Sequence, residues 1–299
     1  MQRFPDKARV CFVGDSITNC NQYVAHIAGY YREHLRDSGV EFYNCGISGA
    51  SLCTTLAVFD EDILPFEPTH IVLMIGINDS SRHYLEGGHA DRYDGMTAAF
   101  ERYKKNLSTF CERVKNLGAE LIICTPTPYA EYIESDIEPL RGGAAMMLGY
   151  CEYLKAFAKE NGYPLCDFHS YITRELTLSS EPLYSPDRVH PLPLGHYYMA
   201  KCFLAFQGFE LDKKELPECI LPWHSAVCEL RNTLSTERFI LNDDFSTTDE
   251  ERMAAILEFA KNPKDGPHKE YFTSLAVAYP ERKRKQKENL EFVKRFMKN

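Results

Sequence analysis

Two short segments carry side chains that could run an acyl transfer. Val10-Cys11-Phe12-Val13 leads straight into Gly14-Asp15-Ser16-Ile17-Thr18. Far along the chain, Asp187-Arg188-Val189-His190-Pro191 sets an acid and an imidazole three residues apart in a proline-rich stretch. A serine hydroxyl is a poor nucleophile alone, and a base that takes its proton while being held by a carboxylate corrects that. Ser16 is therefore the candidate nucleophile, His190 the candidate general base, and Asp187 the group that orients the ring and stabilises its imidazolium. An imidazole can accept a proton near neutral pH and return it to a leaving group. Gly14 would let the backbone bend sharply where the strand ends and lift the serine above the sheet edge. The plainer use of Asp15 or Ser16 is to cap the helix that follows.

Two further segments sit in the same kind of place. Asn44-Cys45-Gly46-Ile47-Ser48-Gly49 follows the apolar run Val40 to Tyr43, and Gly76-Ile77-Asn78-Asp79 follows Ile71-Val72-Leu73-Met74-Ile75. Ser48 is no rival nucleophile, because Gly49 follows it directly and the Gly-x-Ser-x-Gly spacing is absent. With these four blocks in order, residues 8–207 resemble the SGNH hydrolases, also called the GDSL-type esterase family. The resemblance implies a Ser16–His190–Asp187 triad. It also implies an oxyanion hole built from the backbone N–H of Ser16, the backbone N–H of Gly49 and the side-chain amide of Asn78. Such donors stabilise the negative oxygen of a tetrahedral intermediate. The block at His190 continues with Gly195, Met199 and Ala200, as the end block of the family does, although Leu192-Pro193 stands where a polar residue is more usual.

The elements that must position these groups alternate. Candidate strands are residues 8–13, 40–44, 70–75, 119–124 and 164–167; helical stretches run over 20–37, 52–63, 95–117, 144–161, 169–178 and 194–207. Short, continuously apolar strands separated by helices argue for a parallel α/β sheet covered on both faces. Ligands in such sheets bind beyond the carboxyl ends of the strands, where three of the four blocks fall. The resemblance sharpens this to a three-layer α/β/α fold with a five-stranded parallel sheet, flavodoxin-like in type. Residues 1–207 are expected to form the catalytic domain. Residues 208–299 are expected to form a helical extension, packed on that domain or used for homo-oligomerisation. In the extension, Thr247-Thr248-Asp249-Glu250-Glu251 is a helix-start signal. Met253, Ile256, Leu257 and Ala260 then fall at helical spacing, as do Leu290, Val293, Phe296 and Met297.

Composition narrows the partners. The 299-residue chain carries a formal net charge of −9, which disfavours nonspecific nucleic-acid binding. The basic run Arg282-Lys283-Arg284-Lys285-Gln286-Lys287 reads as a solvated helix face. No apolar stretch is long enough to span a membrane and no export signal precedes the first strand, so a cytoplasmic location is expected. The 11 cysteines include no Cys-x-x-Cys pair and are read as buried free thiols in a reducing compartment. Neither a metal nor a cofactor is needed for the proposed chemistry.

Specificity is expected from two long loops at the sheet edge, Ser80–Gly95 and Pro126–Gly143. They carry Arg82, His83, Tyr84 and Tyr93, and Tyr129, Glu131, Tyr132, Glu134, Asp136 and Arg141. Asp15, Arg82, Tyr84 and Tyr129 are the candidate substrate contacts. His196 is expected on a helix surface. Aromatic side chains mixed with charges suit a polar, sugar-like leaving group, so the expected reaction is removal of short acyl groups such as acetyl from a carbohydrate or small-molecule ester. The alternatives are an acyltransferase using the same triad, or a noncatalytic binding module on the same scaffold.

Overall fold

The computed structural model describes residues 3–87, 89–241, 248–263 and 269–298. The chain divides into two compact units, Met1–Ile220 and Leu221–Asn299. In the first, five parallel strands, β1 (Arg9–Gly14), β2 (Glu41–Gly46), β3 (His70–Met74), β4 (Glu120–Cys124) and β5 (Leu165–Cys166), lie in the order β2-β1-β3-β4-β5. The direction of winding therefore reverses between β1 and β3, which opens a crevice at the carboxyl ends of those two strands. Gly14 is in register with Gly46 on one side and Met74 on the other, so the loops after all three strands leave the sheet at one level.

The strands are apolar on both pleats because helices cover both faces. Beside β1 lie α1 (Ser16–Asn19) and α2 (Gln22–His34), and α6 (Phe168–Leu178) and α7 (Pro193–Phe206) complete that layer. Phe12 of β1 meets Tyr23 of α2 and Phe203 of α7 there. The other layer holds α3 (Leu52–Ala57), α4 (Arg92–Leu117) and α5 (Gly143–Asn161), with Phe100 and Tyr103 of α4 against Tyr150 of α5. Aromatic rings dominate both contacts, and each buried ring removes a large apolar area from water.

The departures from the sequence reading have local causes. The helix expected over 20–37 is preceded by the separate turn α1 and starts at Gln22, because Asn21 takes a left-handed φ of 61° and is fully buried. The helix expected over 52–63 stops at Ala57; a π-helical turn at Phe59–Ile63 and a 3₁₀ turn at Leu64–Phe66, carrying Pro65, follow. Residues 208–220 belong to the first unit rather than to the extension. Phe209 packs on Tyr30 and Tyr31 of α2, and Pro217 and Ile220 lie against Gly29. His196 is buried, its ring parallel to Tyr23, because α7 is enclosed on nearly every side.

The second unit comprises α8 (Leu221–Leu241), α9 (Asp249–Lys261) and α10 (Lys269–Phe296). A capping box between Thr248 and Glu251 starts α9; Thr247 lies outside the described residues. Ile256, Phe259, Phe272, Leu275, Ala276 and Tyr279 form the cluster between α9 and α10, with Met253 and Ala260 at its edge; Leu257 is exposed, and Phe259 takes the inward position instead. The basic run is solvated in part: Arg284 and Lys287 are exposed, but Arg282 and Lys283 are not. Arg282 is buried and donates to Thr236 Oγ1 (3.1 Å) and to the Leu275 carbonyl, Lys283 reaches Glu237 (2.9 Å), and Arg284 and Lys285 pair with Glu281 (2.8 and 3.2 Å). Among the described residues no helix is long and apolar enough to cross a membrane.

Candidate active site

Ser16 is the first residue of α1, immediately beyond β1. A Cβ at Gly14 would stand 2.6 Å from the Met74 carbonyl and would collide with the Thr18 hydroxyl, so only glycine lets β1 turn into α1 this tightly against β3. Asp15 caps the turn, its carboxylate accepting from the Ile17 N–H at 3.0 Å. Asn44 braces the same turn from β2: its amide donates to the Thr18 carbonyl (2.6 Å) and to Asn21 Oδ1 (2.9 Å), while its own oxygen accepts from the Gly46 N–H (2.8 Å). In the sequence Asn44 stands out only as the start of a block. Its position at the end of a buried strand, where an unpaired amide would be costly, was the available signal.

The loop before α7 brings the second half of the site. Ser16 Oγ lies 2.7 Å from His190 Nε2, and His190 Nδ1 lies 2.6 Å from Asp187 Oδ2. With the Nδ1–H donating a hydrogen bond to Asp187, Nε2 is left as an acceptor facing the serine hydroxyl. Asp187 Oδ1 accepts the backbone N–H groups of Val189 and His190 (2.9 and 3.0 Å) and the Ser185 hydroxyl (2.6 Å). Burial opposes ionisation of Asp187. The hydrogen bonds it accepts, that from the His190 side chain first, outweigh burial and hold the carboxyl well below the usual range. A firmly ionised carboxylate on Nδ1 favours the imidazolium that forms when Nε2 takes a proton.

Donors without acceptors lie on the loops after β1, β2 and β3. Among the described residues the backbone N–H groups of Ser16 and Gly49 have no acceptor within the protein. Gly49 is exposed and has φ +77°, a conformation that side-chain-bearing residues rarely adopt. The Asn78 amide donates to the carbonyl of Ala50 at 2.9 Å, which ties the β3 loop to the β2 loop and leaves its second N–H uncommitted. A hydroxyl poised on an imidazole, next to unfilled N–H groups at a topological switch point, is arranged for attack on a carbonyl.

The sequence of residues 12–198 matches the model of the GDSL-like Lipase/Acylhydrolase family. The chain belongs to that family. This GDSL-type chain is thus a carboxylic ester hydrolase by class. It is 29% identical over 217 residues to an acetylxylan esterase of Geobacillus stearothermophilus, which covers 68% of this chain and 94% of that protein. Among solved structures it is similar to Axe2, the acetylxylan esterase of G. stearothermophilus, with TM-score 0.57 and 27% identity over 71% of this chain and 99% of that one. It is also similar to BT4096, a gut microbial diltiazem-metabolizing enzyme, with TM-score 0.64 and 26% identity. That match covers 70% of this chain, and the chain spans about half (48%) of the BT4096 chain.

Around the GDSL core, the candidate substrate contacts separate. Arg82 lies in a 3₁₀ turn (Arg82–Leu85), partly buried, and its guanidinium makes no hydrogen bond among the described residues. Burial lowers its pKa, opposed first by the charge of Asp15 and also by that of Asp187. Tyr84 packs over Gly95 at the start of α4, between His83 and His89. Tyr129 corrects the expectation. Its ring is buried against Gly143 and its hydroxyl accepts from the Leu140 N–H (2.9 Å), so it braces the loop from beneath. Asp15 is likewise buried and committed to its cap.

Two carboxyls here give the GDSL unit a pH signature. Burial pushes Asp15 up to about 6 and Asp79, which accepts from the Leu52 N–H at 3.0 Å, up to about 7. A raised carboxyl pKa means the folded state holds its proton more tightly than the unfolded chain. The stability contribution is therefore present at low pH and is lost as pH rises from about 4 through about 7. Asp79→Asn removes its share, so its Tm should improve relative to the parent as pH is raised from 5 to 7.5. A difference in Tm that stays constant over that range, by calorimetry, would refute the assignment.

Proposed function

We propose that the chain is a serine esterase in which Ser16, His190 and Asp187 act as a triad, releasing short acyl groups, acetyl foremost, from a carbohydrate or other small-molecule ester. The observation that carries this reading is the continuous relay from Ser16 Oγ through His190 to Asp187, at 2.7 and 2.6 Å. Ser16 Oγ attacks the ester carbonyl carbon as Nε2 takes the hydroxyl proton. The carbonyl electron pair moves onto oxygen, which is received by the N–H groups of Ser16 and Gly49 and the Asn78 amide. As the C–O bond to the alcohol breaks, His190 returns the proton to the departing oxygen and an acyl-serine remains. Water then repeats the sequence, giving its proton to His190, and the acid is released with Ser16 restored.

The acetyl and carbohydrate parts of the proposal draw on the acetylxylan esterase relative, which this chain matches along nearly all of that protein's length, and on side chains of the two long loops. Tyr132 is 88% exposed on the 126–143 loop, and Arg82 has no hydrogen-bond acceptor among the described residues. Such groups suit a polyhydroxylated leaving group, since rings stack on sugar faces and guanidinium N–H groups meet hydroxyl or carbonyl oxygens.

A substrate panel tests the reading. Acetylated xylo-oligosaccharides and p-nitrophenyl esters from acetyl to octanoyl are compared, with a free sugar present as a competing acceptor and all products identified. Acetyl esters should be turned over fastest, with free acetate as the product. Faster turnover of octanoyl esters would overturn the short-acyl assignment, and acetylated acceptor in place of acetate would make the chain a transferase.

A further inference from the structure

Arg188 lies between Asp187 and His190, is 3% exposed, and has φ +66°. That left-handed conformation is uncommon for any residue but glycine, asparagine or aspartate, and a buried guanidinium is costly unless its donors are met. Here they are met by backbone carbonyls of another loop. Nε and Nη2 both donate to the Ile137 carbonyl (3.3 and 2.8 Å), and Nη1 donates to that of Glu131 (3.1 Å) and to that of Ile133. No carboxylate pairs with Arg188 among the described residues. Two more bonds join the same segments: Ala130 N–H to the Arg188 carbonyl (2.9 Å) and Ser135 Oγ–H to the Pro186 carbonyl (2.8 Å).

The receiving loop is itself anchored. The Glu131 carboxylate accepts the N–H groups of Gly142 and Ala144, each at 3.0 Å, and so binds residues 131–137 to the start of α5. The loop bearing Asp187 and His190 is held within itself by the bonds that Asp187 Oδ1 accepts from Ser185, Val189 and His190 and by the Arg188 N–H to Ser185 carbonyl bond (3.0 Å). It is closed by the isolated bridge between Tyr184 and Pro191 and by the Ser185 N–H to His190 carbonyl bond (2.9 Å). The connection through Arg188 therefore adds a tie from this loop to a helix-anchored frame.

We propose that Arg188 is a positioning residue for the hydrolysis: by clamping residues 131–137 it holds the Asp187–His190 loop so that Nε2 stays on Ser16. The proposal rests on the triad reading given above. Guanidinium is suited to the task because its rigid planar fork spreads its donors over three carbonyls at once, whereas the three donors of a lysine all sit on one nitrogen. Displacement of a reacting group by about 1 Å can cost on the order of 100-fold in rate, so a slack loop should register in kcat rather than in substrate binding.

The test compares Arg188→Met, which keeps the aliphatic stem without donors, Arg188→Lys, and Arg188→Ala with and without added methylguanidinium, all on p-nitrophenyl acetate. Arg188→Met should lose kcat by about 100-fold with KM changed far less. The acid limb of its kcat/KM profile should move to lower pH, because Asp187 then stabilises the imidazolium less. Lysine should restore only part of the rate, and methylguanidinium should raise the rate of the alanine variant. Ser135→Ala, which removes the link to the Pro186 carbonyl together with the bond Ser135 Oγ accepts from the Ile137 N–H (3.1 Å), should reproduce the same kcat effect and acid-limb shift more weakly; it serves if the Arg188 variants fail to fold. A lowered Tm with kcat and the acid limb unchanged would reduce Arg188 to a structural residue and overturn the proposal. Ser16→Ala is assayed in parallel: if it is inactive while Arg188→Met is fully active, the positioning role alone falls, and if it is active, both readings fall.

Discussion

Ser16→Ala should abolish turnover of p-nitrophenyl acetate while leaving the fold intact, with a loss approaching about a million-fold in kcat, as when the nucleophile of a triad enzyme is removed. The size follows from what the hydroxyl does. It is the atom that forms the new bond, and it is the partner of His190 Nε2 at 2.7 Å. The fold should survive because the cap of α1 belongs to Asp15, whose bond to the Ile17 N–H does not involve Ser16, and because alanine is a good helix former. A fluorophosphonate should label the parent protein on the peptide containing Ser16 and leave the variant unlabelled. Retention of more than a small fraction of activity in a folded variant would remove Ser16 from the mechanism; absence of labelling in the parent would favour the inactive-scaffold alternative.

Asp187→Asn should be the next most damaging change, at about 10⁴-fold in kcat, the cost of the same exchange in a serine protease triad. The amide preserves an oxygen for the N–H groups of Val189 and His190, so the loop keeps its shape. What changes is the tautomer. An amide N–H facing Nδ1 makes that nitrogen the acceptor and moves the ring proton to Nε2, which can then no longer take the proton of Ser16. The variant also carries a stability signature. The Asp187 carboxyl is held below its ordinary range by the hydrogen bonds it accepts, so its contribution is present above the unfolded carboxyl pKa and is lost as pH falls. The Tm gap between parent and variant should therefore narrow on acidification below about pH 4. Activity within about tenfold of the parent, or a Tm gap that widens in acid, would refute this role.

The strands were legible because buried parallel strands are short apolar runs and little else. All five lie within two residues of the boundaries read from the sequence. Helix ends were less legible where a single residue broke the pattern, as Asn21 does before α2. The site was legible as blocks, since Ser16, Gly49 and Asn78 each follow a strand of the same sheet. The supporting residues were not. Tyr129 looks like any loop aromatic, but Gly143 provides the flat place its ring occupies and Leu140 the donor its hydroxyl accepts. Arg282 looks like one charge in a basic run, but its donors are met by Thr236 and Leu275 inside the second unit.

By itself, then, the amino-acid order determined the alternation of strands and helices, the reactive residue types, and their placement after strand ends. These depend on local periodicity and on which residues can end a strand. Only the tertiary structure decided that Ser16 and His190, 174 positions apart, share a hydrogen bond, and that Arg188 clamps the 131–137 loop. Those contacts depend on strand order, on the register that sets Gly14 level with Gly46 and Met74, and on the path of two loops over the sheet edge. Pairings of this kind arise from closing long loops around a shared core, which no local pattern of residues encodes.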